Sequence, residues 1–288
     1  MWIYTLLEWI AATFVVVMLG LRWCYHERFC YFPTKQKGRY STTPATYGFH
    51  YEDVSMVTKD GITLHGWWVP YERNSPVLVY SHGNAGNIES RAYEITCMSR
   101  VLHCNVLGYD YRGFGLSSPE QQPTHSGLRI DCETAVKFAK AKIENGEGTS
   151  LWMYGHSIGG GVAVDFVSTH QSEVSALILE NTFISLQKMA MRILPSYIRF
   201  ITPFAVQNTW RNSSLIKNIK TPTVIISGQV DDLIPKSDSE ELYAKSGAER
   251  KEIIAVPNGN HIIDWMTDGN WVLEKVRQFI ENSAHNPG

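Results

Sequence analysis

The sequence predicts an α/β fold, a mostly parallel central sheet flanked by helices, with a small helical cap and an N-terminal transmembrane helix in front. Three observations predict it. Short, nearly continuous apolar runs recur along the body, as strands buried on both faces do: Val77–Tyr80, Val106–Leu107, Leu151–Tyr154, Ala176–Leu179, Val224–Ile226 and Ile253–Val256. Between them, apolar residues return at helical spacing: Ile88, Ala92, Ile95, Met98 and Leu102 in one interval, and Leu128, Cys132, Ala135, Ala139 and Ile143 in another. Strands that alternate with helices imply right-handed crossovers and a parallel sheet covered on both faces. Finally, Trp2–Leu21 is an apolar stretch of the length, about 20 residues, that a helix needs to cross a bilayer.

In chain order, Trp2–Leu21 carries a single charge, Glu8, and Trp2, Tyr4, Trp23 and Tyr25 bracket it as aromatic residues do at membrane interfaces. No basic residue precedes the run, and bulky Arg22-Trp23-Cys24 follows it. This favours an uncleaved anchor over residues 1–22, with the lipid bilayer as its partner, over a cleaved signal. Residues 23–49 read as a basic linker, with Arg28, Lys35, Lys37 and Arg39 following Arg22 and only Glu27 opposing them. By the positive-inside rule this flank keeps the body on the cytoplasmic side, whereas the tripeptide Asn212-Ser213-Ser214 would matter as a glycosylation site only in a lumen. The body covers residues 50–284. It opens on Tyr51–Val57 and Ile62–Val69, parted by Asp60-Gly61, which is an antiparallel hairpin signal. From Glu180 to Val224 the connection is far longer than the usual length of about 2–6 residues. With Met189, Leu194, Tyr197, Phe200, Phe204 and Trp210, and with Pro195 and Pro203 as breakers, it reads as short amphipathic helices capping the strand ends over about residues 183–215.

Composition bounds the function. A chain of 288 residues, 44% of them hydrophobic, can bury one large core. Its 26 Lys and Arg against 28 Asp and Glu leave a net charge of −2, so no overall positive field exists to hold a nucleic acid. The 5 cysteines include no C-x-x-C pair, which argues against a zinc knuckle or a dithiol redox site.

In a sheet of this kind ligands gather at the carboxyl ends of the strands, so the residues just after each apolar run are the ones that matter. Gly155-His156-Ser157-Ile158-Gly159 is a G-x-S-x-G between a predicted strand and a predicted helix. There a serine sits on a sharp, strained turn, side chains at the flanking glycines would collide with the strand and helix, and the helix N-terminus favours developing negative charge. A serine needs a neutral imidazole to take its proton and a carboxylate to orient that imidazole. His261 follows the last predicted strand and Asp231 follows the one before it. Nucleophile, acid and histidine thus come in the order Ser157, Asp231, His261. Asp232, adjacent to Asp231, competes for the acid's role, and Glu180 is a further candidate. His156 is less suited to be the base because its backbone is committed to the turn beside Ser157. The loop Ser81-His-Gly-Asn84-Ala-Gly86 also leaves a strand, so the N–H groups of Asn84 and Ile158 are the candidate oxyanion-hole donors. Neither a G-x-x-x-x-G-K-[ST] nor a G-x-G-x-x-G occurs in this loop, which argues against a nucleotide site. Arg112 and Asp110 read as braces for the loop beside the turn rather than as a second charged site.

Together, S-H-G-N-A-G-N, D-Y-R-G-F-G-L-S (Asp110–Ser117), G-H-S-I-G-G, E-N-T-F (Glu180–Phe183), G-Q-V-D-D-L-I-P and N-G-N-H resemble the α/β-hydrolase superfamily, and within it the bud-emergence-protein-like branch. The resemblance covers residues 50–284. It implies the α/β-hydrolase fold, with Ser157 as nucleophile, Asp231 as acid and His261 as base, and a single N-terminal transmembrane anchor. The doubled Asp231-Asp232 departs from the family pattern and leaves the acid's register open. The expected activity is that of a membrane-anchored serine hydrolase cleaving an ester or thioester, with no metal or organic cofactor. An apolar cap beside an anchor points to an acyl-bearing or lipid-like substrate. The alternative is a membrane-tethered scaffold that keeps the fold without turnover.

Overall fold

The apolar runs become strands where the pattern places them. The computed structural model describes residues 2–24 and 30–285; Tyr25, Glu27 and Arg28 of the expected linker lie outside these. Helix α1 (Trp2–Cys24) and a two-residue strand β1 (Phe32–Pro33) precede the hairpin of β2 (Glu52–Val57) and β3 (Thr63–Val69). The body continues through β4 (Val77–Ser81), β5 (Ala85–Gly86), α2 (Ala92–Leu102), β6 (Asn105–Tyr109), α3 (His125–Lys142), β7 (Leu151–His156), α4 (Ile158–His170) and β8 (Ala176–Glu180). The long insert forms α5 (Leu186–Ile193), α6 (Thr202–Ala205) and α7 (Asn212–Leu215). After it come β9 (Thr223–Gly228), α8 (Lys236–Lys245), β10 (Lys251–Val256) and α9 (Gly269–His285).

Eight strands make one sheet in the order β10-β9-β8-β7-β4-β6-β3-β2. The hairpin is antiparallel, Val57 lies opposite Thr63, and Gly61 in its turn takes φ +83°. β3 is also antiparallel to β6, and every pair from β6 to β10 is parallel. The chain leaves β4 for β6 on one side and returns to β7 on the other. That reversal opens a crevice at the carboxyl ends of β4 and β7, and the loops bearing Asn84 and Ser157 flank it.

Side chains alternate across the sheet with the period of a strand. From β4, Val77 and Val79 pack with Leu128 and Cys132 of α3 and Val162 of α4, whereas Leu78 and Tyr80 pack with Ile95 and Met98 of α2 and Val272 and Val276 of α9. Burying each such aliphatic side chain contributes about 1.5–3 kcal/mol.

A helix forms over the N-terminal apolar run, but among the described residues no helix is long and apolar enough to cross a membrane. Glu8 is exposed on it. Instead, α1 packs against α6 of the cap. β1 pairs in parallel with β5, Phe32 opposite Ala85 and Pro33 opposite Gly86, and Lys35 bridges to Gly115. Lastly, Asn212 of the glycosylation tripeptide is fully buried and donates to the Phe183 carbonyl at 2.8 Å, so its amide is committed to the fold.

Candidate active site

The turn between β7 and α4 is tight because it is held from three sides. Ser157 takes φ 54° and ψ −115°, a left-handed conformation costly for a residue with a side chain. Its N–H donates to the Glu180 carbonyl at 2.9 Å, while its own carbonyl accepts the Gly160 N–H at 3.0 Å and the Thr182 hydroxyl at 2.6 Å. A Cβ at Gly159 would be driven into the Ser81 carbonyl, and one at Gly155 into the Gly159 backbone, so both positions exclude larger residues. The Ser157 side chain makes no capping bond to its helix, and Ile158 follows as the first helical residue, where N–H groups have no partner within the helix.

Three side chains distant in sequence meet here. His261 Nε2 lies 3.0 Å from Ser157 Oγ, and His261 Nδ1 lies 2.9 Å from Asp231 Oδ2. The Asp231 carboxylate is 0% exposed, and its second oxygen accepts the N–H groups of Leu233 and Ile234, each at 2.8 Å. An ionised carboxylate only accepts, so Nδ1 carries the proton toward Asp231 and Nε2 is left to accept from the serine. Asp232, the competing acid, is exposed. Glu180, the further candidate, points to the Tyr154 hydroxyl at 2.7 Å, and burial, reinforced by the nearby Glu94, pushes its carboxyl well above the usual range. It therefore faces the core rather than His261.

Two residues to which the sequence reading gave no role fix the histidine loop. Asn181, at φ 43°, donates its side-chain amide to the carbonyls of Asn260 at 2.9 Å and His261 at 3.1 Å, while its Oδ1 accepts the Gly228 N–H at 2.7 Å. His156 Nε2 lies 2.9 Å from the same His261 carbonyl. Burial, with the positive charge of Arg91 and neighbouring His261, holds the His156 imidazole well below its ordinary value, so it is neutral and donates that proton. The available signal was positional. Asn181 directly follows the buried strand β8, at the same rim as Ser157.

The loop after β4 carries Asn84. Beside it, His82 is fully buried, its Nδ1 lies 2.6 Å from the Gly83 carbonyl, and burial lowers its pKa to about 3. Arg112 makes the brace expected of it. It bonds Asp131 on α3 through Nε at 2.9 Å and Nη2 at 2.7 Å, and Asp60 in the hairpin turn through Nη1 at 2.7 Å. The cap is clamped separately, with Arg192 of α5 gripping the buried Asp238 of α8 at 2.6 and 2.5 Å. Among the described residues no group of His, Cys, Asp and Glu has the makings of a metal site.

Comparison with known proteins agrees with this architecture. A family described as serine aminopeptidase, S33, matches residues 74–215. The α/β-hydrolase domain-containing protein WAV2 of Arabidopsis thaliana is 31% identical over 286 residues, covering 94% of this chain and 92% of that protein. Protein bem46 of Schizosaccharomyces pombe is 29% identical over 280 residues, covering 94% and 91%. Among solved structures, the Pyrococcus furiosus esterase Pf2001 shares the fold with a TM-score of 0.70 at 22% identity, over 87% of this chain and 98% of that one.

Proposed function

Because the chain belongs to the α/β-hydrolase family, in its bud-emergence-protein-like branch, we propose that it is a serine hydrolase that cleaves an ester or thioester of an acyl or lipid-like substrate. The observation that carries this reading is the position of His261, within hydrogen-bond reach of Ser157 on one side and Asp231 on the other. Ser157 Oγ attacks the substrate carbonyl carbon while its proton passes to His261 Nε2, and Asp231 stabilises the resulting imidazolium. The tetrahedral oxyanion accepts from the N–H groups of Asn84 and Ile158, each such donor being worth about 3 kcal/mol in the transition state. Collapse expels the alcohol or thiol, which takes the proton from His261, and leaves an acyl group on Ser157. A water that gives its proton to His261 then attacks the acyl carbon; the bond to Ser157 Oγ breaks, Oγ takes the proton back from His261, and the acid departs.

The acyl preference rests on exposed apolar side chains in the chain after His261 and on the cap. Ile262 is 56% and Met266 74% exposed, and Tyr197 and Phe200 stand out from the cap at 76% and 69%. α1 adds exposed Trp2, Trp9, Ile10 and Phe14 and packs on the cap, which supports attachment of this end of the molecule to a lipid surface. The test is labelling with a fluorophosphonate. The wild type is labelled and Ser157→Ala is not; labelling that survives Ser157→Ala removes the nucleophile. Flotation with phosphatidylcholine vesicles tests attachment, which Trp9→Glu with Phe14→Glu abolishes if α1 is the contact.

A further inference from the structure

We propose that the segment Cys30–Thr42 is a positioning strap for the oxyanion hole, with the Asn84 side chain as its fastening. This deepens the proposed function and rests on it. Asn84 contributes its backbone N–H to the reaction, and its side chain is used elsewhere. Nδ2 donates to the Cys30 carbonyl at 2.7 Å, and Oδ1 accepts the Phe32 N–H at 3.4 Å. The next residues of the same loop form a ladder with the strap. Phe32 pairs with Ala85, Pro33 with Gly86, and the Thr34 N–H donates to the Gly86 carbonyl at 3.3 Å. The donor residue and the backbone that follows it are therefore tied to a segment more than fifty positions earlier.

The strap is itself anchored at points that bear on the same loop. The Thr34 carbonyl accepts the Gly115 N–H and the Gln36 N–H donates to the Gly115 carbonyl, both at 2.9 Å. The Tyr40 hydroxyl bonds one oxygen of the buried Asp110, whose other oxygen accepts the Ile88 N–H at 2.9 Å, just past the oxyanion loop. Glu89 Oε1 accepts the N–H groups of Ser41 at 2.7 Å and Thr42 at 2.9 Å, and the Ser41 hydroxyl at 2.6 Å. At the other end the Trp210 indole of the cap insert donates to the Tyr31 hydroxyl at 3.1 Å. The segment so joins the oxyanion loop, the loop after β6 and the cap.

A β-ladder of two residues adds little to the stability of a core this size, but it fixes direction. An oxyanion donor must stand within a few tenths of an ångström of its place, and Asn84 sits between two glycines of the run Gly83–Gly86, where the backbone has no stiffness of its own. The strap supplies that stiffness. A purely structural strap would alter thermal stability and leave the chemical step alone, which separates the two roles.

The test uses the full chain and a soluble p-nitrophenyl ester, with kcat and KM measured separately. Asn84→Ala keeps the backbone N–H and removes both fastening bonds. It lowers kcat by about 10- to 100-fold, short of or equal to the loss of a whole donor, with KM within about twofold. Inhibition by a trifluoromethyl ketone, whose oxyanion occupies the same hole, weakens by the same factor as kcat/KM. Glu89→Ala, on the half-buried turn beyond the loop, loosens the far anchor and lowers kcat by about three- to tenfold; it serves as the second variant should Asn84→Ala not fold. Wild-type kcat in a folded Asn84→Ala, or a loss confined to melting temperature, overturns the strap. A wild type that neither turns over nor labels at Ser157 overturns the hydrolase reading first, and the strap with it.

Discussion

The nucleophile turn and the cap are both apolar in sequence, yet the molecule builds them in opposite ways. Around Ser157 the backbone does the holding. β7 is buried along its whole length, α4 is buried through Val164, and the turn is pinned by the Glu180 carbonyl and the Thr182 hydroxyl. In the cap the helices are short, α5 buries only Leu186, and its ties are side-chain bonds such as Arg192 to Asp238 and Gln187 to the Val206 carbonyl. The difference follows from what each region must tolerate. On the proposed function, a nucleophile displaced by an ångström would lose most of its rate, whereas a surface receiving acyl chains of several lengths would gain from side chains that can rearrange.

The comparison breaks most sharply at Gly159. Gly159→Ala drives a methyl into the Ser81 carbonyl, where backbone lies on both sides and neither can yield, so the cost is at least about 3 kcal/mol. The expected result is a large drop in denaturation midpoint or in soluble yield, together with loss of labelling. A variant of unchanged midpoint would mean that the turn is softer than its contacts imply. Next comes Asn181→Ala, which strands the Gly228 N–H and loosens the carbonyls of Asn260 and His261. Stability falls by about 1–3 kcal/mol, and kcat falls about 100-fold with little change in KM. Equal losses in kcat and in substrate affinity would show instead that Asn181 shapes the binding surface.

Asp110 sharpens the comparison on the strap side. Burial pushes its carboxyl up to about 7, outweighing the bonds from Tyr40 and Ile88. Between the unfolded value near 4 and about 7 the folded protein holds one proton more at this residue than the unfolded chain. Its contribution is therefore full only below about 4 and is lost progressively as pH rises from there through 7. The stability difference between wild type and Asp110→Asn shrinks across that window by roughly 1.4 kcal/mol per pH unit, as paired denaturant titrations would read. A difference that stays constant from pH 4 to 8 would mean that Asp110 remains ionised in the fold.

The sheet was legible because a strand buried on both faces has no choice but to be apolar, and Val77–Tyr80 or Ala176–Leu179 admit no other reading at that length. Ser157 and His261 were legible because the elbow needs its glycines and because strand ends fix where chemistry gathers. Asp231 could not be told from Asp232 for a physical reason. The loop after β9 is irregular, with no period to say which of two adjacent carboxylates turns inward, and only the N–H groups of Leu233 and Ile234 decide it. The strap left no mark either, since a two-residue ladder and backbone-to-side-chain bonds create no hydrophobic rhythm. At the N-terminus, composition announced the helix, whereas among the described residues no helix is long and apolar enough to cross a membrane.

The smallest expected effect on stability tests the cap's side of the contrast. Tyr197 and Phe200 stand 76% and 69% exposed on the turn between α5 and α6, so the fold gains little from them. Changing both to serine should leave the denaturation midpoint within about 0.5 kcal/mol of wild type. Against esters of increasing acyl length, the wild type should gain in kcat/KM as methylenes find apolar partners, each worth up to about 0.8 kcal/mol when fully buried. The double variant should lose that gain for the longest chains while hydrolysing the acetate at the wild-type rate. An unchanged length profile would assign these side chains to the outer surface alone. A parallel fall for the acetate would place them in contact with the reacting end of the substrate, which their position on the cap argues against.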